Sequence, residues 1–238
     1  MADEKRFCFD GQWLAFAPGQ TVIQAAEAAG LYIPHLCYHP DLPPHGSCKL
    51  CSVKANGRIT SACYEPVSEG MIVESETGEI TALRRRVIQM LFAEGNHYCP
   101  FCEKSGNCQL QALAYHLGME DVHYPQLYPR RELDASHPDV LIDHDRCILC
   151  ELCVRASRDL DHKSLFGIAG RGLSAHLRVN SASGRLGDTD FAASDRAASI
   201  CPCGAILPRR KAFMTPIGER RFDDQDIADA GQGGKSDD

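Results

Sequence analysis

Residues 37–63 read CYHPDLPPHGSCKLCSVKANGRITSAC and combine four cysteines with a strong turn signal. The cysteines follow the spacing Cys37-x10-Cys48-x2-Cys51-x11-Cys63. Between the last two of them, Asn56-Gly57 separates two short runs of strand-like composition, and this dipeptide is typical of a two-residue β-hairpin. The stretch therefore predicts a long loop that carries several thiols and leads into a hairpin.

The flanking segments complete a small domain around this loop. An earlier hairpin is expected to turn at residues 10–11, and Thr21 is a suitable N-cap for a helix that ends before Gly30. One more strand follows at residues 71–74. Two hairpins with a helix packed across them predict a β-grasp domain over residues 1–77. Four thiolates in its loop suit a 2Fe-2S cluster, in which each iron takes two of them.

A second group of cysteines has the spacing Cys99-x2-Cys102-x5-Cys108. A 4Fe-4S cluster needs four ligands, and His97 is the nearest candidate for the fourth, with His116 as the alternative. A helical period starting at Glu79 leads the chain to this group, and the arginines at residues 84–86 are expected to face water on that helix. We therefore predict a small helical His/Cys3 domain over residues 78–139.

A third group contains Cys147, Cys150 and Cys153. Bacterial 4Fe-4S ferredoxins continue this Cys-x2-Cys-x2-Cys spacing with x3-Cys-Pro, but the corresponding position here is Ser157. Cys201, which a proline follows, can supply the missing thiolate, and Cys203 is the alternative ligand. We predict a 4Fe-4S ferredoxin-like domain over residues 140–219 and a disordered tail over residues 220–238. The remaining cysteine, Cys8, is expected to be a small buried hydrophobe in the first strand.

Composition narrows the function classes. The chain of 238 residues has a formal net charge of −7, which argues against a nucleic-acid-binding face. No segment approaches the ~18 consecutive apolar residues of a membrane span, and the charged N-terminus does not look like a secretion signal. We expect a cytoplasmic protein, and in that reducing compartment clustered thiols favour metal binding over disulfides.

The three groups, in this order, resemble the N-terminal part of the large iron–sulfur subunit of respiratory complex I. Plant-type ferredoxins have Cys-x4-Cys-x2-Cys, whereas the ten-residue gap after Cys37 and the long gap before Cys201 resemble the complex I form. That family has His-x3-Cys in the second group, which falls on Gly95 here, so either the loop bends differently to bring His97 in or a remote residue serves as the fourth ligand. The resemblance covers residues 5–215. Chain length favours the HoxU-type diaphorase iron–sulfur subunit of NAD-reducing (bidirectional) nickel–iron hydrogenases.

The resemblance implies an α+β electron-transfer subunit of a hydrogen:NAD⁺ oxidoreductase, with one 2Fe-2S cluster, two 4Fe-4S clusters and no catalytic site of its own. The Cys37 group would take single electrons from a flavin- and NADH-binding diaphorase subunit, and the Cys147 group would pass them on. The Cys99 group would face the hydrogenase small subunit and, through it, the nickel–iron large subunit. FMN, NAD and the nickel–iron centre would lie on these partners, since the chain has no Gly-rich dinucleotide motif.

Other interpretations remain open. The chain could be the equivalent subunit of an NAD-dependent formate dehydrogenase or of a complex I-like NADH dehydrogenase. A zinc-stabilised scaffold would also use cysteine sets, but it would be colourless. A small dehydrogenase would oxidise NADH by itself with an artificial acceptor.

Overall fold

The computed structural model describes residues 5–230, so residues 1–4 and 231–238, the latter predicted to be disordered, lie outside it. Strands and helices alternate along the described chain in an α+β arrangement, as the sequence predicts. Three sheets are present within this range. No helix in it is both long enough and apolar enough to cross a membrane.

Five strands form the N-terminal sheet in the order β2-β1-β5-β3-β4. They are β1 (Arg6–Phe9), β2 (Gln12–Ala15), β3 (Ser52–Ala55), β4 (Arg58–Ser61) and β5 (Ile72–Glu74). β1 runs parallel to β5, and the other pairs are antiparallel. The two hairpins thus lie side by side with β5 between them, which confirms the predicted β-grasp arrangement.

Local sequence signals start and end the elements of this region. Asn56 and Gly57 have φ angles of 47° and 81°, as a type I′ turn requires, and Asn56 Oδ1 accepts the Ile72 N–H at 2.9 Å. Helix α1 (Val22–Ala28) begins after its N-cap Thr21. Its buried face shares one hydrophobic core with the sheet. The long cysteine loop therefore leaves and re-enters a packed domain.

Two helices form the second region. Helix α2 (Gly78–Glu94) follows its N-cap Thr77, whose side chain accepts the Ile80 N–H at 3.2 Å. Helix α3 (Gln109–His116) follows a short 3₁₀ turn at Cys99–Phe101. The second cysteine group therefore occupies the loop between the two helices.

Two side chains differ from the sequence prediction. Arg84 does not face water: it is 1% exposed, and its guanidinium donates to the carbonyls of Leu50 and Ser52 at 3.0 and 2.9 Å. Helix α2 packs against the end of the cysteine loop, and the loop carbonyls there need a donor. Arg85 and Arg86 are exposed as expected. Cys8, expected to be buried, is half-buried in β1.

The third region combines two small sheets with two helices. β6 (Leu133–Asp134), β7 (Val140–Asp143) and β10 (Ile206–Pro208) form one sheet, and β8 (Phe166–Ala169) and β9 (His176–Val179) form a hairpin. The helices are α4 (Leu152–Asp159) and α5 (Arg196–Ser199). Helix α4 starts directly after the Cys-x2-Cys part of the third group, so it carries Cys153.

Residues 220–230 are ordered against the second region, although the sequence predicts a disordered tail from residue 220. The Phe222 N–H donates to Gly106 O at 2.9 Å, and the Arg221 N–H donates to Asn107 Oδ1 at 2.9 Å. Ile227 is buried. The segment has few apolar residues, so composition alone predicts disorder. Polar contacts to the 105–107 loop hold it instead.

Candidate iron–sulfur cluster sites

The thiols of the first group form two pairs. Cys51 Sγ and Cys63 Sγ are 3.4 Å apart, and Cys37 Sγ accepts the Cys48 N–H at 3.4 Å. A separate side-chain hydrogen bond with the Cys48 thiol, and secondly burial, raise the pKa of the Cys37 thiol, while the same side-chain bond lowers the pKa of Cys48. The second pair behaves alike, with the pKa of Cys51 raised and that of Cys63 lowered by their shared hydrogen bond. Two pairs suit two irons with two thiolates each.

Helix α4, which is distant in sequence, holds the start of this loop through an arginine. The Arg155 guanidinium donates to Cys37 O at 2.5 Å and to Pro43 O at 2.7 Å. Arg155 is buried, and Cys37 shares one hydrophobic core with Cys150 and Cys153. The first and third groups are therefore direct neighbours.

The second group lines one cavity. Its wall includes His97, Cys99, Cys102 and Cys108. Nε2 of His97 is buried and has no hydrogen-bond partner among the described residues. Burial, and secondly the charge of Arg146, lowers the pKa of His97 to about 4, so the imidazole is neutral at pH 7. A buried, unpaired ring nitrogen is costly unless something binds it, and neutral imidazole is a good iron ligand. The side chains present therefore fit a His/Cys3 cluster.

The structure explains how His97 reaches the cavity although the related family has its histidine at position 95. A Cβ added at Gly95 would lie 2.3 Å from His97 Nε2, so the imidazole fills the space that a side chain at position 95 would occupy. The loop therefore brings the ring of residue 97 over the backbone of residue 95. The alternative ligand His116 does not line this cavity, and its Nδ1 is 2.8 Å from Asp226 Oδ1.

The third group lines a second cavity. Its sulfur-bearing wall residues are Cys147, Cys150, Cys153, Cys201 and Cys203. Burial raises the pKa of Cys147 to about 11 and raises the pKa values of Cys150 and Cys153 well above the ordinary range. Leu149 and Glu151, on either side of Cys150, have φ angles of 54° and 59°. These left-handed residues make the sharp turns that keep the closely spaced thiols on one cavity.

Cys201 and Cys203 are not equivalent in this cavity. Their sulfurs are 3.9 Å apart. A hydrogen bond from Cys203 and backbone N–H groups at residues 203, 205 and 206 lower the pKa of Cys201 to about 6. The Cys203 sulfur also lies 3.2 Å from Arg146 O, a second acceptor for its single proton. Cys201 thus has the environment of a thiolate ligand, and Cys203 that of a neutral neighbour.

Residues 201–204 also connect the third group to the second. The Cys108 thiol donates to Pro202 O at 3.7 Å, and a Cβ added at Gly204 would lie 2.7 Å from Cys102 Sγ. The third group therefore adjoins both the first and the second. Sequence reasoning did not identify Arg155 or Gly204, since neither belongs to a cysteine spacing.

All thirteen cysteines are free thiols. Within residues 5–230, no three His, Cys, Asp or Glu side chains form a compact group suited to one metal ion. The thiols of the three groups instead lie on one loop and along two cavities.

Three family profiles match the chain in succession. The 2Fe-2S iron-sulfur cluster binding domain matches residues 3–78. The NADH-ubiquinone oxidoreductase-G iron-sulfur binding region matches residues 84–123, and the 4Fe-4S single cluster domain matches residues 140–207. Each match includes one of the three cysteine groups described above.

Similar proteins fall into two kinds. The NAD-reducing hydrogenase HoxS subunit gamma of Cupriavidus necator is 38% identical over 92% of this chain and 93% of its own length. The mitochondrial NADH-ubiquinone oxidoreductase 78 kDa subunit of Candida albicans is 31% identical over 93% of this chain, which spans only 31% of that subunit. A chain in the crystal structure of an NAD⁺-reducing [NiFe]-hydrogenase in the H₂-reduced state superposes with a TM-score of 0.90 at 56% identity, covering 92% of this chain and 93% of the other.

Proposed function

The chain belongs to the family of the gamma subunit of NAD-reducing hydrogenases, and from this premise we propose that it relays single electrons between a flavin- and NADH-binding diaphorase subunit and a nickel–iron hydrogenase module. It is an iron–sulfur electron-transfer subunit with a 2Fe-2S domain and 4Fe-4S binding regions. The observation that carries the proposal is the unbroken spatial series of thiol groups, because single electrons need closely spaced carriers from one partner to the other.

We assign one ligand set to each group. The first set is Cys37, Cys48, Cys51 and Cys63; the second is His97, Cys99, Cys102 and Cys108; the third is Cys147, Cys150, Cys153 and Cys201. When bound, the 2Fe-2S and the two 4Fe-4S clusters would supply one-electron carriers, which a flavin partner needs to divide the electron pair of NADH. The paired thiols, the two sulfur-lined cavities and the unpaired His97 Nε2 support these sets.

The chain's own residues exclude water and fix the thiols. The first and third groups share a hydrophobic core. The Arg155 guanidinium donates to two backbone carbonyls of the first loop and not to its thiols. Rigid, dry surroundings of this kind keep the carriers at constant separations and limit reaction with oxidants.

Exposed aromatic side chains support a partner contact at the second group. Phe101, which lies between two of its cysteines, is 79% exposed, and Tyr98 is 59% exposed. Exposed aromatic residues are enriched in protein interfaces. We propose that this end faces the hydrogenase small subunit and, through it, the nickel–iron large subunit, while the first group faces the diaphorase subunit. FMN, NAD and the nickel–iron centre would lie on these partners. The domain division and the cytoplasmic location remain predictions.

Anaerobic purification with all co-purifying subunits tests the proposal. We expect about ten irons and matching acid-labile sulfide per chain, from one 2Fe-2S and two 4Fe-4S clusters. Mass spectrometry of the bound chains and a nickel assay should identify a hydrogenase. Formate dehydrogenase subunits in place of nickel would redirect the assignment, and a colourless zinc protein would contradict it. The isolated chain should not oxidise NADH with an artificial acceptor.

A further inference from the structure

One positively charged side chain from the third region reaches the second group. Nη1 of Arg146 lies 3.6 Å from Cys102 Sγ, which is within hydrogen-bond distance for a sulfur acceptor. The contact is long-range, because 44 positions separate the two residues. Gly204 leaves room for it: a Cβ at that position would lie 2.7 Å from the Cys102 sulfur and 3.5 Å from Arg146 Nη1.

Two carboxylates hold the guanidinium in this place. Nη1 is 2.8 Å from Glu103 Oε2, and Nε is 2.8 Å from Asp143 Oδ2. The Arg146 side chain is only 20% exposed, and its backbone carbonyl accepts the Cys203 thiol. These contacts hold both the guanidinium and the backbone of Arg146 in place. The hydrogen bond from the guanidinium to the Cys102 sulfur therefore costs little further conformational entropy.

We propose that Arg146 is a positioning and tuning residue, which donates an N–H to the Cys102 sulfur and raises the reduction potential of the cluster in the second group. The proposal rests on the ligand set assigned above. Reduction adds one negative charge to the cluster and its thiolates. A charge-assisted hydrogen bond to a ligand sulfur therefore stabilises the reduced form more than the oxidised form. The carboxylates oppose this effect by charge, but only the guanidinium touches the sulfur.

The test compares Arg146→Gln with Arg185→Gln in the full chain isolated anaerobically with its clusters. Arg185 forms an ion pair with Glu132 at 3.2 Å and bonds to no thiol among the described residues, so it is the control. EPR signals of each cluster would be followed during a redox titration. At the wild-type midpoint potential of the second cluster, we expect Arg146→Gln to lower the ratio of reduced to oxidised cluster about tenfold, which is 59 mV for one electron. Arg185→Gln and the other two clusters should keep the wild-type ratio.

A second measurement needs no loss of the side chain. In wild-type protein with ¹⁵N-labelled guanidinium groups, hyperfine spectra of the reduced second cluster should contain a ¹⁵N coupling. Arg146→Lys, which keeps a positive charge for the two carboxylates, should remove it. A missing coupling in wild-type protein, or an unchanged ratio in Arg146→Gln at full iron content, would overturn the proposal. Absence of the second cluster from wild-type protein would instead overturn the ligand assignment.

Discussion

In the first thiol group every sulfur belongs to residues 37–63, and the thiols meet in two pairs within a loop anchored on a five-stranded sheet. In the second group the thiols occupy a short connection between α2 and α3, and much of their surroundings comes from elsewhere. Arg146 and Gly204 approach from the third region, and Arg220 donates to Ser105 O at 3.2 Å from beyond it. We call the first site local, because distant side chains such as Arg155 donate only to its backbone carbonyls, and the second site assembled, because the distant Arg146 donates to a thiol sulfur.

This difference predicts which substitutions affect which site. A substitution at Arg146 or Gly204 should alter the second site while the first retains its spectrum. The third group shares one hydrophobic core with the first group and another with the second. Four experiments test this contrast, beginning with the largest expected effect.

Cys150→Ala should interrupt electron transfer between the local first site and the assembled second site. Cys150 is buried in the third group, so its loss removes a ligand that no exposed thiol can replace. We expect the loss of one 4Fe-4S EPR signal and of electron flow from NADH to the hydrogenase partner. Cys8→Ala, at a half-buried position outside all three groups, should leave both unchanged. Full iron content with coupled turnover in Cys150→Ala would contradict the ligand assignment.

Arg84→Met should destabilise the first region by about 3 kcal/mol, because the carbonyls of Leu50 and Ser52 and the Ser75 hydroxyl lose their buried donor. Denaturant unfolding of the cluster-loaded chain would measure this. Arg86→Met on the exposed side of α2 should change stability by less than ~0.5 kcal/mol. Equal effects of the two variants would show that the first site does not depend on this helix.

Acidification should release iron with different steepness from the two kinds of site. Burial raises the pKa of Cys108 to about 12, so the metal-free site keeps this proton throughout the range below that value, and iron must displace it. Each displaced proton makes binding about tenfold weaker per pH unit of acidification, and the dependence flattens above the raised pKa. In the first group the pKa values of Cys37 and Cys51 are raised but those of Cys48 and Cys63 are lowered, so protons compete less strongly with iron at two of its four thiols.

We therefore expect iron transfer to a chelator, followed at the absorbance and EPR signals of each cluster between pH 8 and pH 6, to depend more steeply on pH for the 4Fe-4S clusters than for the 2Fe-2S cluster. Identical slopes would argue against the unequal proton affinities of the two thiol environments.

Gly204→Ala should disturb the second site and leave the first unchanged. The added Cβ would meet Cys102 Sγ at 2.7 Å, so the sulfur or the backbone must shift. We expect about tenfold faster iron loss from the second cluster, the lower range for a change next to a ligand, with the 2Fe-2S signal unchanged. Gly78→Ala, where nothing lies within 4 Å of the new Cβ, is the control. A similar change in the 2Fe-2S signal would contradict the contrast between the two sites.

Local chemistry explains which features the sequence could predict. Asn56-Gly57 needs only its own backbone to form a turn, and Thr21 caps a helix from within four residues. The cysteine spacings likewise describe short loops. The sequence therefore predicted the β-grasp arrangement, and it drew attention to the thiols that the structure brings to one loop and two cavities.

The remaining features depend on contacts between distant residues. Arg84 resembles its exposed neighbours in sequence and is buried only because the cysteine loop packs over it. The hairpin β8–β9 lacks a two-residue turn signal, since residues 170–175 connect its strands. Residues 220–230 contain little apolar surface and depend on carbonyls and side chains near residue 106. None of these environments is encoded within a short window.

The contact between Arg155 and the Cys37 carbonyl has a consequence for biosynthesis, because 118 positions separate the two residues. While the ribosome is still making the middle of the chain, the first loop already contains its four cysteines but not the arginine that braces it. Cofactor-loading machinery that acts during translation would meet a looser loop than machinery that acts after release. The timing of iron delivery, as well as the final contacts, therefore bears on whether this loop matures correctly.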